Sequence, residues 1–249
     1  MTKTQIDRLG DRLKKGNISD DDLRLLDSYR RSFSEAYEFV VGSVREKLAL
    51  EPTGRPAKST TSIADKLRRE SIRLTQIQDI AGCRLIASDI ANQESVVQSL
   101  ESLFEDVTIV DRRQKPSHGY RAVHVIVNRQ GKMIEIQVRT SLQHLWAELS
   151  EKFSDVVDLA IKYGEGNEVV QKILAQASIF VIETEAIETQ LAELNEQLFS
   201  KDNLTDDEGQ GIARVQEKMH LLKQTVFKYL RDYVEAVEEL EGENDDLPD

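Results

Sequence analysis

The sequence predicts a mixed α/β fold of the α+β kind, a β-sheet flanked by helices and bracketed by long N- and C-terminal helices. Three observations carry that expectation. Gly119 to Thr140 alternates apolar and polar residues on both sides of a glycine-containing turn, as a β-hairpin does. The run Cys83-Arg84-Leu85-Ile86 follows a turn and reads as a buried strand ending near Ser88. On either side of this centre, apolar residues recur at three- and four-residue steps over segments too long for strands.

The hairpin is the most informative stretch. Successive strand residues point to opposite faces, so Val123, Val125 and Val127 share one face, and Ile134, Ile136 and Val138 share another. Those faces are core. The opposite face carries Tyr120 and His124 on the first strand and Glu135, Gln137 and Arg139 on the second, groups able to stack, hydrogen-bond or titrate. The turn lies in Asn128-Arg129-Gln130-Gly131, where Gly131 supplies the positive φ of a short connection. Opposed residues must share a face, so paired residue numbers must sum to an odd number. The register taken from the sequence sums to 259, pairing His124 with Glu135 and Tyr120 with Arg139.

Composition bounds the function. The 249-residue chain is long enough for one sizeable core with helical extensions, one catalytic-size domain instead of two. A single cysteine, Cys83, excludes an intramolecular disulfide. The N-terminus lacks the apolar stretch of a secretion signal, and no apolar run reaches membrane-spanning length, so a cytoplasmic protein without membrane contact is expected. The net charge of −12 argues against general nucleic-acid binding, DNA included. That average hides an asymmetry: residues 51–150 hold 14 Lys and Arg against 12 Asp and Glu, leaving 19 against 33 elsewhere. A near-neutral centre with basic clusters between acidic flanks suits a pocket for a small polyanion.

In order along the chain, Ser19-Asp20-Asp21-Asp22 offers an N-cap followed by acids, and Leu23, Leu26, Tyr29, Phe33, Tyr37, Val40, Val41 and Val44 continue one amphipathic helix to about Leu48. Glu51-Pro52-Thr53-Gly54-Arg55-Pro56 breaks it. Lys58, Ser62 and Lys66 then stand four residues apart, which on a helix stacks them along one side; a solvated basic face is the plainer reading of such a row. Asp79, at the mouth of the apolar strand, is a metal-ligand candidate. A helix over about Asn92 to Phe104, a strand through Val107 to Val110 and a basic loop from Asp111 to His118 lead into the hairpin. Leu142, Leu145, Trp146, Leu149 and Phe153 mark a helix running on to Tyr163, in which His144 and Trp146 are packing residues. Two long helices follow, about Glu168 to Phe199 and Glu208 to Leu240, separated by Ser200-Lys201-Asp202-Asn203 and ending in a disordered acidic tail. The expected divisions are a helical segment over 1–50, a catalytic domain over 51–163, a helical region over 164–241 and the tail over 242–249.

Taken together, K-x3-S-I-x2-K, D-x2-G-x-R-x-I, GYRAVH, E-x-Q-x-R-T and a downstream W-A resemble, in this order and spacing, the synthetase domain of RelA/SpoT-type (p)ppGpp synthetases. The resemblance spans roughly Arg55 to Lys152, and the flanking helices look like those of small single-domain alarmone synthetases. It implies a nucleotidyltransferase-like mixed sheet and transfer of the β,γ-pyrophosphoryl group of ATP to the 3′-hydroxyl of GDP or GTP, releasing AMP, in signalling of the stringent-response type. By the same resemblance Arg55, Lys58, Ser62, Lys66, Arg84, Arg112 and Lys115 would hold ATP, Asp79 and Glu135 would be catalytic and bind Mg2+, and Tyr120 would stack on the acceptor base. His124, Gln137 and Arg139 would position the acceptor and neutralise charge.

The chemistry of pyrophosphoryl transfer asks for the same things, since charge builds on phosphate oxygens and is met by cations, a metal and in-line positioning. The chain departs from the family where Arg55 precedes Lys58 by three positions, where His118 stands before Gly119, and where Ser150-Glu151 follows the Trp-Ala helix. It contains no His-Asp dipeptide, the metal pair of the family's hydrolase half, so synthesis without hydrolysis is expected. The alternatives are a toxic relative that pyrophosphorylates adenine nucleotides or tRNA 3′ ends, and a catalytically silent helical scaffold. Acidic flanks disfavour tRNA. The apolar surface of the last two helices predicts either self-association or an intramolecular cap.

Overall fold

The computed structural model describes residues 1–55, 57–199 and 206–245, with side chains left aside at 55, 195, 198–199, 206–208 and 240–245. Helices α1 (Lys3–Lys15), α2 (Asp20–Arg31) and α3 (Ser34–Leu48) precede β1 (Thr53–Arg55), α4 (Thr60–Arg69) and β2 (Ala81–Ala87). Then come α5 (Ile90–Leu103), β3 (Val107–Asp111), β4 (Val123–Arg129), β5 (Lys132–Thr140), α6 (Ser141–Val156), α7 (Glu168–Phe199) and α8 (Asp206–Asp245). The five strands form one mixed sheet in the order β1-β2-β5-β4-β3, which confirms the expected α+β class.

Where the sequence suggested one core with extensions, buried apolar residues fall into two clusters, and the chain divides into two compact units. The first unit comprises Met1–Leu85, Val96–Val110 and Val123–Val138. Its core lines the apolar face of the hairpin with Val123, Val125, Val127, Ile134, Ile136 and Val138, and adds Leu9 and Leu13 of α1, Val40 and Val44 of α3, Ile63 and Leu67 of α4 and Leu100 of α5. The second unit comprises Ile86–Ser95, Asp111–Ala122 and Arg139–Asp249. Its core is helical: Leu142, Trp146 and Leu149 of α6 pack with Val170, Leu174 and Val181 of α7 and Val226, Leu230 and Val237 of α8.

Several expectations change in detail. The helix expected from Ser19 to Leu48 is two helices. The Ser32 hydroxyl donates to the Tyr29 carbonyl at 2.6 Å, a side-chain bond that competes with the helical ladder, and Tyr29 and Phe33 meet edge to face across the break. Helix α1 adds to the expected elements, and a Thr2/Gln5 capping box, Ile6, Leu9 and Leu13 at helical spacing and Gly16 at the C-cap account for it. The hairpin register sums to 261, not 259, pairing His124 with Gln137 and Ile126 with Glu135, because Gln130 and Gly131 both take positive φ and form the two-residue turn. The parity rule survives the shift, so every residue keeps its expected face. Tyr120 lies ahead of β4, in a turn where its amide donates to the Ser117 carbonyl at 2.9 Å. After α6 the chain turns into a short 3-10 helix, Leu159–Tyr163, instead of one continuous helix. Helix α7 has its expected bounds, α8 is helical through Asp245, and Pro56, the separator 200–203 and the tail residues 246–249 lie outside the described residues.

Candidate active site

In the first unit lie five of the expected ATP-side residues, Arg55, Lys58, Ser62, Lys66 and Arg84, and both candidate carboxylates, organised around β2 and β5. Lys58 lies just ahead of α4, not on it, because Ser59 is the N-cap and accepts from the Ser62 amide. The row of three is therefore one residue before the helix and two on it. The Lys58 amide donates to the Ile80 carbonyl at 2.7 Å, which ties this approach to the Asp79 turn. From there Lys58 Nζ reaches Asp79 Oδ2 at 2.6 Å, and Lys66 Nζ, from the second turn of α4, reaches Asp79 Oδ1 at 3.0 Å. Both carboxylate oxygens of Asp79 are thus held by ammonium groups. Burial by itself would raise this carboxyl; the two lysine charges and their hydrogen bonds outweigh it and hold Asp79 below the ordinary carboxylate range.

Glu135 sits on β5 with only 8% of its surface exposed. His124 Nδ1 lies 2.8 Å from Glu135 Oε1, and Gln137 Nε2 donates to Oε2 at 2.7 Å. The register makes His124 and Gln137 direct cross-strand partners, so both flank the same carboxylate. Burial pushes the Glu135 carboxyl up and the Asp79 charge acts in the same direction, but the His124 and Gln137 contacts prevail and its pKa is lowered. Two ionised carboxylates therefore influence each other in one cluster. Gly82 permits it: a Cβ there would lie 2.6 Å from the Glu135 carbonyl oxygen, so only glycine lets β2 run this close to β5. Arg84, half-buried, shares a face of β2 with Gly82 and stands opposite Thr53 of β1. Ser62 is half-buried, and its hydroxyl accepts from Ser59 at 2.8 Å. Arg55 belongs to β1, and its side chain lies outside the description.

The second unit holds the remaining candidates. Arg139 is buried, its guanidinium lies 5.0 Å from the centre of the Tyr120 ring, and Nη2 donates to the Tyr120 hydroxyl at 3.0 Å. The Tyr120–Arg139 contact read from strand pairing is thus made, but by a turn reaching back. Gly119 has φ +91°, and a Cβ there would stand 2.7 Å from Trp146 Cζ2, so the turn rests directly on the indole. Trp146 in turn donates to the Leu174 carbonyl at 2.8 Å, the packing role expected of it. In the basic loop Arg112 is half-buried and its amide donates to the Ala122 carbonyl, while Lys115 is exposed.

Sequence reasoning overlooked a buried polar network in this unit. Glu185 of α7, 3% exposed, accepts from the Thr140 hydroxyl at 2.5 Å and from Gln143 Nε2 at 3.0 Å, with Arg121 Nε 3.9 Å away. Gln93 Nε2 donates to Gln143 Oε1 at 2.9 Å, and Arg113 donates from Nη1 to Gln93 and from Nη2 to Asp111. Burial pushes the Glu185 carboxyl up. The only trace in sequence is the T-x-x-Q capping box of Thr140 and Gln143 that starts α6.

Residues 54–154 match the family model described as a region found in RelA / SpoT proteins. This region, which is where the motifs stand, is thus similar to RelA/SpoT proteins. Among the chains it is similar to are an uncharacterized protein of Mycobacterium tuberculosis, 36% identical over 116 residues that are 45% of this chain and 42% of the relative. Another is a guanosine-3′,5′-bis(diphosphate) 3′-pyrophosphohydrolase of Aquifex aeolicus, 32% identical over 119 residues, 45% of this chain and 17% of that one. These matches span less than half the length of the curated relatives. In three dimensions the chain is similar to the small alarmone synthetase 1 of Bacillus subtilis, with a TM-score of 0.51, 25% identity, and coverage of 72% of this chain and 100% of the other.

Proposed function

We propose that the protein is a pyrophosphokinase that moves the β,γ-pyrophosphoryl group of ATP to the ribose 3′-hydroxyl of GDP or GTP and releases AMP, making alarmone of the (p)ppGpp kind. The observation that carries the reading is the carboxylate cluster of the first unit, with Asp79 clamped by two lysines and Glu135 set between His124 and Gln137. The RelA/SpoT region and the structural likeness to a small alarmone synthetase support it.

Lys58 and Lys66 would exchange the Asp79 carboxylate for ATP phosphates, and the family resemblance assigns Ser62, Arg84, Arg55, Arg112 and Lys115 to ATP as well. The chain offers two ionised carboxylates and, among the described residues, no group of three or more His, Cys, Asp or Glu that could hold a metal by itself. That donor set fits Mg2+, which is bound through one or two carboxylates together with substrate phosphates, and Asp79 and Glu135 would hold it. When bound, Mg2+ supplies charge neutralisation on the phosphate oxygens. Tyr120, braced by Arg139, would stack on the guanine of the acceptor. Glu135, ionised at neutral pH and oriented by Gln137, would take the 3′-hydroxyl proton. The 3′ oxygen then bonds to the β-phosphorus as the bond from that phosphorus to the α-bridging oxygen breaks.

The protein would act without a hydrolase partner activity. No His-Asp dipeptide, the metal pair of the family's hydrolase half, occurs in this sequence. Incubating the purified chain with labelled ATP and Mg2+ together with GDP, GTP, ATP or tRNA tests the reading: label should appear on GDP or GTP. Label on adenine nucleotides or tRNA alone would transfer the assignment to a toxic relative, and no label on any acceptor would leave a silent scaffold.

A further inference from the structure

The first unit contains a cavity of about 550 Å³ lined by α1, the α2–α3 break, Thr75, Ile77 and the tip of the hairpin. None of its lining residues belongs to the carboxylate cluster. Its chemistry is unlike the rest of this acidic chain: the lining includes Lys3 and Lys132 and no Asp or Glu. Lys132 Nζ lies 4.5 Å from the centre of the Phe33 ring and 5.2 Å from that of Tyr29, and donates to the Ser32 hydroxyl at 2.7 Å. That hydroxyl is fixed because it donates in turn to the Tyr29 carbonyl. Among the described residues no carboxylate pairs with Lys132, and burial lowers its pKa with no opposing charge at work. Asp7 of α1, whose charge acts on Tyr29, is already engaged by the Thr75 amide at 3.2 Å and the Thr75 hydroxyl at 2.6 Å.

A partly desolvated ammonium with two N–H groups to spare, held against aromatic rings and lacking a counter-ion, is costly in isolation and recovers that cost with an anion. The wall is more polar than apolar, and Tyr29, Phe33, Ile6 and Met133 supply its apolar part, which a body attached to that anion would cover. We propose that this cavity is a binding site for a small organic anion, a phosphate or carboxylate on a flat or apolar body, with Lys132 as its anchor.

The protein's own methionines report on it. Met1 and Met133 line the cavity and Met219 lies on α8, and these are its 3 methionines. Phenyl phosphate is titrated into the whole chain carrying labelled methionine methyls, with inorganic phosphate and benzyl alcohol as comparisons, and affinity is read in parallel by calorimetry. The Met133 and Met1 methyl signals should shift saturably with phenyl phosphate while Met219 stays in place, and neither comparison compound should match its affinity. Losing one charge-assisted hydrogen bond corresponds to about a tenfold weakening, so Lys132→Gln should weaken phenyl phosphate at least that much. Lys58→Gln, in the carboxylate cluster, should leave the Met133 response unchanged. The proposal is overturned if Met133 does not respond at millimolar phenyl phosphate, if benzyl alcohol binds as well, or if Lys58→Gln abolishes the response. Because methyl shifts are read on the unmutated chain, misfolding of Lys132→Gln does not rescue the idea. A benzoate titration separates a carboxylate from a phosphate preference.

Discussion

Glu135 and Asp79 are both ionised, and the reason differs: two lysines hold Asp79, whereas His124 from the neighbouring strand and Gln137 from its own strand hold Glu135. Glu135→Gln keeps the shape and leaves no carboxylate to accept the proton or share a metal. Transfer should fall to background while the thermal midpoint and circular dichroism stay near those of the parent; turnover at the parent rate would remove Glu135 from the site. Asp79→Asn should behave likewise. If instead it lost stability and kept its activity, Asp79 would be a turn acid that neutralises two lysines. Tyr120→Ala should raise the acceptor KM and leave the ATP KM largely unchanged, since stacking on a base contributes about 1 to 3 kcal/mol. Tyr120→Phe should recover most of that, short of the hydrogen bond from Arg139. Equal losses for both substrates would make Tyr120 a packing residue. Cys83 is the counterexample of a reactive side chain without chemistry: burial pushes its thiol up to about 12, which keeps it protonated and inert.

At the level of strands and helices, two contacts decide where these side chains stand. Gly82→Ala would place a methyl 2.6 Å from the Glu135 carbonyl oxygen, a backbone atom that cannot rotate aside. Overpacking of this kind costs about 1 to 3 kcal/mol, so the variant should melt earlier and lose transfer together. A variant as stable and active as the parent would show that β2 and β5 have room to separate. The Glu185 network makes a prediction of the opposite electrostatic sign to Asp79. Its folded pKa is raised, so in the interval above about 4.3 the unfolded chain has released its proton while the folded chain keeps it. Glu185 therefore contributes most below that value, and its contribution declines as pH rises through the folded pKa. Glu185→Gln should flatten this part of the urea-midpoint profile, whereas Glu185→Ala should cost about 1 to 3 kcal/mol at every pH by orphaning Thr140 and Gln143. A profile unchanged by Gln would mean that Glu185 titrates as an ordinary carboxyl.

For the whole molecule, the open question is what the last two helices do. Helix α7 buries Val170, Leu174, Ala177 and Val181 in the second core, yet Val169, Ile179, Ile182 and Ile187 remain exposed, as do Val215, Leu222 and Tyr229 of α8. The apolar surplus read from the sequence is thus divided between an intramolecular core and open surface. We expect self-association through the exposed side. Light scattering on the intact chain should give a mass above that of one 28.3 kDa chain at micromolar concentration. A monomer would leave α7 and α8 as a cap on α6 alone. No helix among the described residues is long and apolar enough to cross a membrane.

Local periodicity and turn chemistry were enough for much of the fold. Alternation fixed the two faces of the hairpin, Gly131 marked its turn, three- and four-residue spacing gave α7 its bounds, and ordered motifs singled out Lys58, Asp79, Glu135 and Tyr120, because each of these signals is written in neighbouring residues. Several features arise only when distant segments meet. The register moved by two because backbone twist at Gln130-Gly131, which residue parity does not encode, selected the turn. The α2–α3 break depends on a serine hydroxyl and two rings whose burial is settled by the core around them. The Lys58–Asp79–Lys66 clamp joins residues 21 and 13 positions apart in the chain, and the Thr140–Glu185 contact residues 45 apart. Such contacts have no sequence period, so only the packing of the folded chain could decide them.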